Sequence, residues 1–173
     1  DYLERSLAIH EELGNKLGMG NCLNNIGIMH KNGGGLDYYD RSLAIREELG
    51  DKQGMGNSLS SIGGVYYYKG DVDTALDYME RSLAIAEELG DKQAIGSNLY
   101  NIGGGYWNKG DYETALDCYK RSLSIYEELG DKRGMGNSLD QIGKVHYNKG
   151  DYEHAIEYLE KSLAIHKEIG KKD

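Results

Sequence analysis

Cysteine and basic residues are both scarce in this chain of 173 residues. Cys22 and Cys118 occupy non-equivalent places far apart, and such a pair is no disulfide framework, which fits a reducing compartment such as the cytoplasm. Lys and Arg number 20 against 29 Asp and Glu, which gives a net charge of −9. Nucleic acid and anionic membrane surfaces are therefore disfavoured as partners, because both attract basic patches.

Long apolar runs, strand patterns and familiar catalytic motifs are absent as well. No run of about 18 apolar residues exists, so no membrane span is encoded. No segment alternates with period two for long enough to form a strand. The HExxH and CxxC metal motifs, the P-loop pattern and a clustered set of Asp and His are also missing from the sequence. We therefore expect neither an enzyme nor a bound metal or cofactor.

What the sequence has instead is a 40-residue repeat. RSLAI at 41–45 returns at 81–85, as RSLSI at 121–125 and as KSLAI at 161–165, and an earlier RSLAI stands at 5–9. A unit this short cannot bury its own apolar face, so the copies must stack on one another. The chain divides into 1–14, the second helix of a truncated repeat, and four repeats at 15–50, 51–90, 91–130 and 131–170.

Each repeat is predicted to form two helices joined by short turns, which makes neighbouring helices antiparallel. In the copy at 51–90, Asp51 is placed to cap a first helix that runs to about Tyr68. Asp71 is placed to cap a second helix that ends at Leu89-Gly90, with the glycine as C-cap. The fold is therefore predicted to be all-α.

The pattern inside the repeat resembles the tetratricopeptide repeat. In the copy at 51–90, the pattern consists of Leu59, Ile62-Gly63 and Tyr66 in the first helix. It continues in the second helix with Ala75, the large residue Met79 and the small residue Ser82. The same pattern recurs in register in other copies. The resemblance implies a right-handed α-solenoid of antiparallel helix pairs, in which the first helices line a concave groove. The sequence lacks proline and has 40 residues per repeat, more than the roughly 34 of the common form. In that respect it is similar to the repeats of kinesin light chains and of Leu-Gly-Asn-rich adaptors.

The residues expected to line this groove follow from helix geometry. On a helix that turns about 100° per residue, Asn57 lies about 200° from the core residue Leu59, and so positions 57, 60/61, 64 and 67/68 face away from the core. The predicted peptide-binding set on the four first helices is Asn21, Asn24, Asn25 and Lys31; Asn57, Ser60, Ser61 and Tyr67; Tyr100, Asn101, Trp107 and Asn108; and Asn137, Asp140, Gln141, Lys144 and Tyr147.

Amide, hydroxyl and aromatic groups dominate this set. Asn and Gln offer donors and acceptors for a peptide backbone, while Tyr and Trp add rigid apolar area with a polar tip. A purely structural role is the alternative, since Asn can hydrogen-bond along the solenoid and Trp107 can pack between helices. Close glycine steps such as Gly63-Gly64 are expected to let backbones or a ligand approach.

Three other features have structural interpretations. His30 and His146 stand at the core-tyrosine position and are expected to be packed instead of metal-binding. Serine recurs at 6, 42, 82, 122 and 162, where it is expected to fill a small slot between helices. Acid-first i,i+4 pairs on the second helices indicate a solvated face, which could instead steer a basic partner; they are Asp37–Arg41, Asp77–Arg81, Asp117–Arg121 and Glu157–Lys161.

The repeat at 15–50 is irregular. Arg5 to Arg41 spans 36 residues against 40 elsewhere, and alignment places the gap between Gly34 and Gly35. Either the chain has lost the residues that cap the second helix, or four residues are missing from this sequence. Because the chain opens at Asp1 inside a repeat, we expect a piece of a longer protein, with further repeats or a partner copy beyond each end.

These observations predict a non-catalytic interaction module that binds a protein or peptide ligand in its groove, as part of a larger adaptor or signalling protein. The competing hypothesis is a structural spacer, or an array that self-associates through uncapped ends and has no peptide ligand.

Overall fold

The computed structural model describes residues 2–30 and 34–170, and all regular structure in this part of the chain is helical. The chain forms two compact halves, Asp1–Leu89 and Gly90–Asp173. The N-terminal half contains α1 (Tyr2–Glu12), α2 (Lys16–Met29), α3 (Leu36–Leu49), α4 (Lys52–Tyr68) and α5 (Val72–Leu89). The C-terminal half contains α6 (Lys92–Asn108), α7 (Tyr112–Leu129), α8 (Lys132–Asn148) and α9 (Tyr152–Ile169).

Within each half, every helix packs against the next helix of the chain, and in the C-terminal half α6 also contacts α8. The buried positions include those of the repeat pattern: Leu59, Ile62 and Ala75 in the N-terminal half are nearly inaccessible, as are Ile142 and Ala155 in the C-terminal half. The predicted all-α solenoid of helix pairs is confirmed.

The helix boundaries in the repeat at 51–90 are set by local caps. The Asp51 carboxylate accepts a hydrogen bond from the Gly54 amide at 3.0 Å, and Asp71 accepts one from the Thr74 amide at 3.2 Å. After α5, Gly90 adopts a left-handed conformation with φ +67°, which costs glycine nothing and ends the helix. The predicted caps are therefore confirmed at both ends.

Helix α3 begins without a side-chain cap. Gly35 occupies the N-cap position, where it offers no side chain to the first turn, and the helix has 14 residues against the 18 of α5. A helix without a side-chain cap agrees with both explanations of the gap, a loss of the capping residues and four residues missing from this sequence. Helix α3 therefore starts with backbone amides that no capping side chain satisfies.

The recurrent serines join the helices of each pair. Ser42, Ser82, Ser122 and Ser162 are buried, and their hydroxyls donate to the carbonyls of glycines on the preceding first helix at 2.8–2.9 Å. In two places the serine also lies beside a second one, with Ser122 Oγ 3.3 Å from Ser138 Oγ. The expectation that serine fills a small slot between helices is confirmed. These hydroxyls are packing groups with satisfied hydrogen bonds.

Exposed ion pairs lie on the second helices. The predicted pairs Asp77–Arg81 (3.7 Å), Asp117–Arg121 (3.8 Å) and Glu157–Lys161 (2.6 Å) are present. Arg41, in contrast, contacts Glu11 of α1 at 3.5 Å. A further ion pair was not predicted from the sequence. It joins Lys92, the first residue of α6, to Glu128 near the end of α7 at 2.7 Å. Exposed pairs of this kind stabilise by less than about 1 kcal/mol each.

Two adjacent glycines of α4 have opposite surroundings. A Cβ at Gly63 would lie 2.9 Å from Met79 Cγ and 3.1 Å from the Ala75 carbonyl oxygen, whereas a Cβ at Gly64 would have no neighbour within 4 Å. The close approach expected of this glycine step therefore belongs to Gly63, which lets α5 pack against α4.

We expect Gly64→Ala to raise the unfolding free energy by up to about 1 kcal/mol, because alanine is the better helix former. Gly63→Ala is expected to lower it by about 1 kcal/mol or more, because the added methyl group overpacks the α4–α5 contact. Urea unfolding followed by circular dichroism measures both. Equal shifts of the same sign for the two variants would contradict the packing described here.

Candidate functional site

The predicted peptide-binding residues lie on the first helices α2, α4, α6 and α8. Lys31 falls outside the described residues. Every described member of the set is at least partly exposed, so each side chain has access to solvent. Their individual environments differ, and some already have hydrogen-bond partners within the fold.

In the N-terminal half, Asn21 is held by a buried arginine. Arg46 of α3 is only 7% exposed, and its guanidinium donates to Asn21 Oδ1 at 2.7 Å and to Ser42 Oγ at 3.3 Å. The same guanidinium pairs with the Asp51 carboxylate at the start of α4. The amide oxygen of Asn21 therefore serves a contact between helices, which is the structural alternative considered for these asparagines.

Ser61 and Asn24 show two further environments. Ser61 Oγ donates to the Asn57 carbonyl at 3.0 Å. Burial raises the pKa of the Tyr39 hydroxyl, and Ser61 acts in the opposite direction. Asn24 Oδ1 is buried and has no hydrogen-bond partner among the described residues. Asn24 thus has a buried acceptor without a partner on α2, which lowers the stability of the fold.

In the C-terminal half, two members of the set join neighbouring first helices. Gln141 Nε2 on α8 donates to the Tyr100 hydroxyl on α6 at 3.2 Å, and the Tyr100 ring lies 5.7 Å from that of Tyr119. On α8, Lys144 forms an ion pair with Asp140 at 2.6 Å. The two first helices are therefore neighbours and share a surface of amide, hydroxyl and charged groups.

Trp107 lies at the end of α6 and is half-buried. Its ring packs against the cluster that includes Tyr119, Ile142 and Val145. The indole Nε1 is inaccessible and has no hydrogen-bond partner among the described residues. A buried donor without a partner destabilises a fold by about 1–3 kcal/mol. The expectation that Trp107 can pack between helices is met, with a free donor left over.

Three residues that were not expected to act together meet at the turn between α8 and α9. His146 Nδ1 lies 3.0 Å from Asp151 Oδ2, and His154 Nδ1 lies 2.9 Å from both carboxylate oxygens of Asp151. The His146 ring also stacks on His154 and on Tyr158, at 5.3 and 5.5 Å. The sequence shows no clustered set of Asp and His, but the folded turn provides one.

This cluster has distinct electrostatics. The hydrogen bond to Asp151, together with the negative charges of Asp151, Glu157 and Glu153, raises the pKa of His154. The same bond to His154 lowers the pKa of Asp151. His146 is largely buried, with 12% of its side chain exposed, as expected for a packed histidine. His30 is exposed, and its ring stacks on Tyr38 at 5.3 Å, so its expected burial was wrong.

The residues at equivalent positions of the repeats could have revealed the cluster. Where the last repeat has His146 and His154, the two preceding repeats have Tyr66 with Thr74 and Tyr106 with Thr114. Both changes flank the capping aspartate, and both produce histidine. The spacing alone gave no indication that the two rings would meet.

Comparison with known families agrees with the helix pairs and their register. The signature of the tetratricopeptide repeat matches residues 29–88 and 95–168, which is most of the chain. This chain belongs to the tetratricopeptide repeat family. Among curated proteins, none matches the sequence.

Solved structures share the fold of this tetratricopeptide repeat protein at low sequence identity. BtubC (BKLC) from P. vanneervenii has a TM-score of 0.81 at 16% identity, over 90% of this chain and 66% of that chain. Nearly identical repeats of a putative kinesin light chain from Podosopora anserina have a TM-score of 0.69 at 15% identity, over 98% of this chain and 85% of that chain. A Rap protein complexed with Competence and Sporulation Factor has a TM-score of 0.72 at 19% identity, over 95% of this chain and 44% of that chain.

The comparisons establish the class of the protein. It is a protein-interaction repeat module, of a fold that is typically a non-catalytic scaffold. It spans less than half the length of the Rap protein, 44% of that chain. Among the described residues, every helix falls short of the length and apolarity that a bilayer span requires.

Proposed function

We propose that this tetratricopeptide repeat module is a non-catalytic cytoplasmic adaptor segment that binds a peptide or helix along its first helices. The observation that carries the proposal is the surface shared by α6 and α8, where Gln141 donates a hydrogen bond to Tyr100 and the Trp107 side chain is partly exposed. The amide groups of this surface suit the backbone of a bound segment. The aromatic rings supply rigid apolar area of the kind that dominates binding hot spots.

The related Rap protein was solved with Competence and Sporulation Factor bound to it. That complex supports ligand binding by this fold, and we extend it to this chain as part of the proposal. The ligand of this chain is expected to be extended or helical, with polar groups that complement Asn101 and Gln141 and an apolar group that covers the exposed part of the Trp107 ring. It is not expected to rely on a carboxylate clamp, because Lys144 is already paired with Asp140.

A peptide-library selection tests the proposal. We expect a shared motif to enrich on the parent chain and to disappear with Trp107→Ala combined with Asn101→Ala. A matched control carries Lys120→Ala and Glu127→Ala, two exposed positions on the second helix α7, and should keep the motif. Trp107→Phe retains an aromatic ring and removes only the indole donor. Because this donor is inaccessible, Trp107→Phe is expected to keep the motif, and only loss of the aromatic ring should remove it.

Circular dichroism must show that all variants remain helical. Enrichment that is equal on the parent and on the Trp107 and Asn101 double variant would overturn the proposed surface. A failure of every peptide to enrich would overturn peptide binding and favour the self-association described next.

Self-association is the second candidate, favoured by one observation. Ile156 on the last helix is 58% exposed, whereas the equivalent Leu116 on α7 is 9% exposed because a further helix covers it. Leu163 on the same helix is also exposed. An apolar face of this kind can be covered by a second copy of the chain. Sedimentation velocity at several concentrations distinguishes the two functions, since a peptide adaptor sediments as one species and a self-associating array does not.

A further inference from the structure

The turn between α8 and α9 brings two imidazoles and one carboxylate to a common point. His146, Asp151 and His154 each offer one ligand atom, and these atoms all lie within 4.8 Å of one another. We propose that this cluster is a binding site for a single divalent transition-metal ion of the Zn²⁺ type. The proposal does not rest on the proposed peptide surface.

The donor set selects the kind of ion. Imidazole nitrogen suits Zn²⁺, Ni²⁺ and Cu²⁺, whereas Ca²⁺ and Mg²⁺ prefer oxygen ligands throughout. Zinc binds histidine nitrogen and carboxylate oxygen at about 2.0–2.2 Å. Ligand atoms within 4.8 Å of one another can therefore reach one ion after rotations of the side chains. Three protein ligands would leave the remaining coordination positions to water.

The hydrogen bonds already present orient the ligands. Both histidines direct Nδ1 at Asp151, at 3.0 Å for His146 and 2.9 Å for His154. An ion at this point would replace the protons that the rings share with the carboxylate. Each ring would then carry its proton on Nε2. For His146 this breaks no hydrogen bond, since its Nε2 has no partner among the described residues.

The surroundings favour a cation. Glu153 and Glu157 add negative charge close to His154, on the same helix. Lys161 is engaged with Glu157 at 2.6 Å, and Lys149 is engaged with Glu113 at 2.5 Å. Asp151 is fixed by its capping role, in which it accepts a hydrogen bond from the His154 amide at 3.3 Å. The ring of His146 is held between His154 and Tyr158.

The other repeats supply matched controls, because they carry the same turn without the histidines. Thr74 and Thr114 occupy the place of His154, and their amides donate to the capping aspartates at 3.2 and 3.1 Å. His154→Thr is therefore expected to keep the cap and the fold while removing one ligand. His146→Tyr restores the residue found at positions 66 and 106. His30→Tyr makes the same change in a repeat that lacks a second histidine at this turn.

Titration of the full chain with zinc chloride, followed by calorimetry, tests the site. We expect one Zn²⁺ ion per chain, with binding weakened about tenfold or more by His154→Thr and by His146→Tyr and unchanged by His30→Tyr. Zinc should also raise the melting temperature of the parent and of His30→Tyr, but not that of His154→Thr. Cobalt substitution gives an independent readout, because its visible absorption reports nitrogen and oxygen ligands.

Binding of equal strength by the parent, His154→Thr and His146→Tyr would overturn the proposal, as would the absence of binding to the parent at millimolar zinc. Either result would show that the histidines serve only to hydrogen-bond the capping aspartate. Loss of binding in His30→Tyr as well would also overturn it, because the ion would then lie elsewhere.

Discussion

Replacing Asp51 by alanine is expected to lower the unfolding free energy by about 3 kcal/mol or more, because a buried arginine loses its partner. Arg46 is 7% exposed and pairs with the Asp51 carboxylate. Its remaining described partners, Asn21 and Ser42, are neutral. The substitution also removes the cap of α4, since Asp51 accepts the Gly54 amide. Thermal and urea unfolding, followed by circular dichroism, measure the loss.

The matched control is Asp131→Ala in a later repeat. Asp131 caps α8 in the same way, accepting the amides of Arg133 and Gly134 at 3.0 and 3.1 Å. The residue equivalent to Arg46, five positions before this cap, is Tyr126, which carries no charge to be left behind. Asp131→Ala is therefore expected to cost only about 1 kcal/mol. Asp51→Asn keeps a capping oxygen without the charge. Its loss of unfolding free energy should fall between those of Asp51→Ala and Asp131→Ala. Equal losses for the two alanine variants would show that the Arg46 pair contributes nothing beyond the cap.

Gly134→Ala is expected to change the stability in opposite directions in two backgrounds. A Cβ on Gly134 would lie 2.4 Å from Tyr126 Cγ and 2.5 Å from its Cδ1. These atoms belong to the base of a buried ring, which cannot move aside as the end of a flexible chain can. In the parent, the substitution should therefore destabilise by about 1–3 kcal/mol through overpacking.

In a Tyr126→Ala background the obstructing ring is gone. Tyr126→Ala itself should cost about 3–5 kcal/mol, because the ring is nearly fully buried. Adding Gly134→Ala to it should then stabilise by up to about 1 kcal/mol, through the better helix propensity of alanine. The equivalent positions one repeat earlier, Ala86 and Ala94, already have alanine at both places. A double-mutant cycle from urea unfolding gives the coupling, and additive effects would contradict a direct contact between the two residues.

The local features of the fold could be predicted from the sequence. Asp51 and Asp71 as caps, Tyr68 as the end of a first helix and Gly90 as a C-cap all depend on residues within one or two turns of each other. The buried serines were predictable for a related reason, since a small residue repeated in register must meet the same neighbour in each copy. The exposure of the predicted groove residues followed from helix periodicity.

The partners of those residues could not be predicted in the same way. Asn21 belongs to the exposed face of α2, as expected, yet its amide is held by Arg46 from the following helix. Position 46 is Ala, Tyr or His in the other repeats, at 86, 126 and 166. The contact therefore depends on an arginine that none of these repeats has at the equivalent position. Whether Asn101 or Gln141 binds a ligand stays a prediction.

The sequence by itself determined that the chain is helical, that it is built of repeats and that one face of each first helix is polar, because helix formation and periodicity depend on near neighbours along the chain. Only the tertiary structure decided which side chains meet across helices. It placed Arg46 between α2 and α4, joined Tyr100 to Gln141, and brought His146 and His154 to one carboxylate. Those contacts depend on the packing distance and rotation of neighbouring helices, to which every buried residue between them contributes.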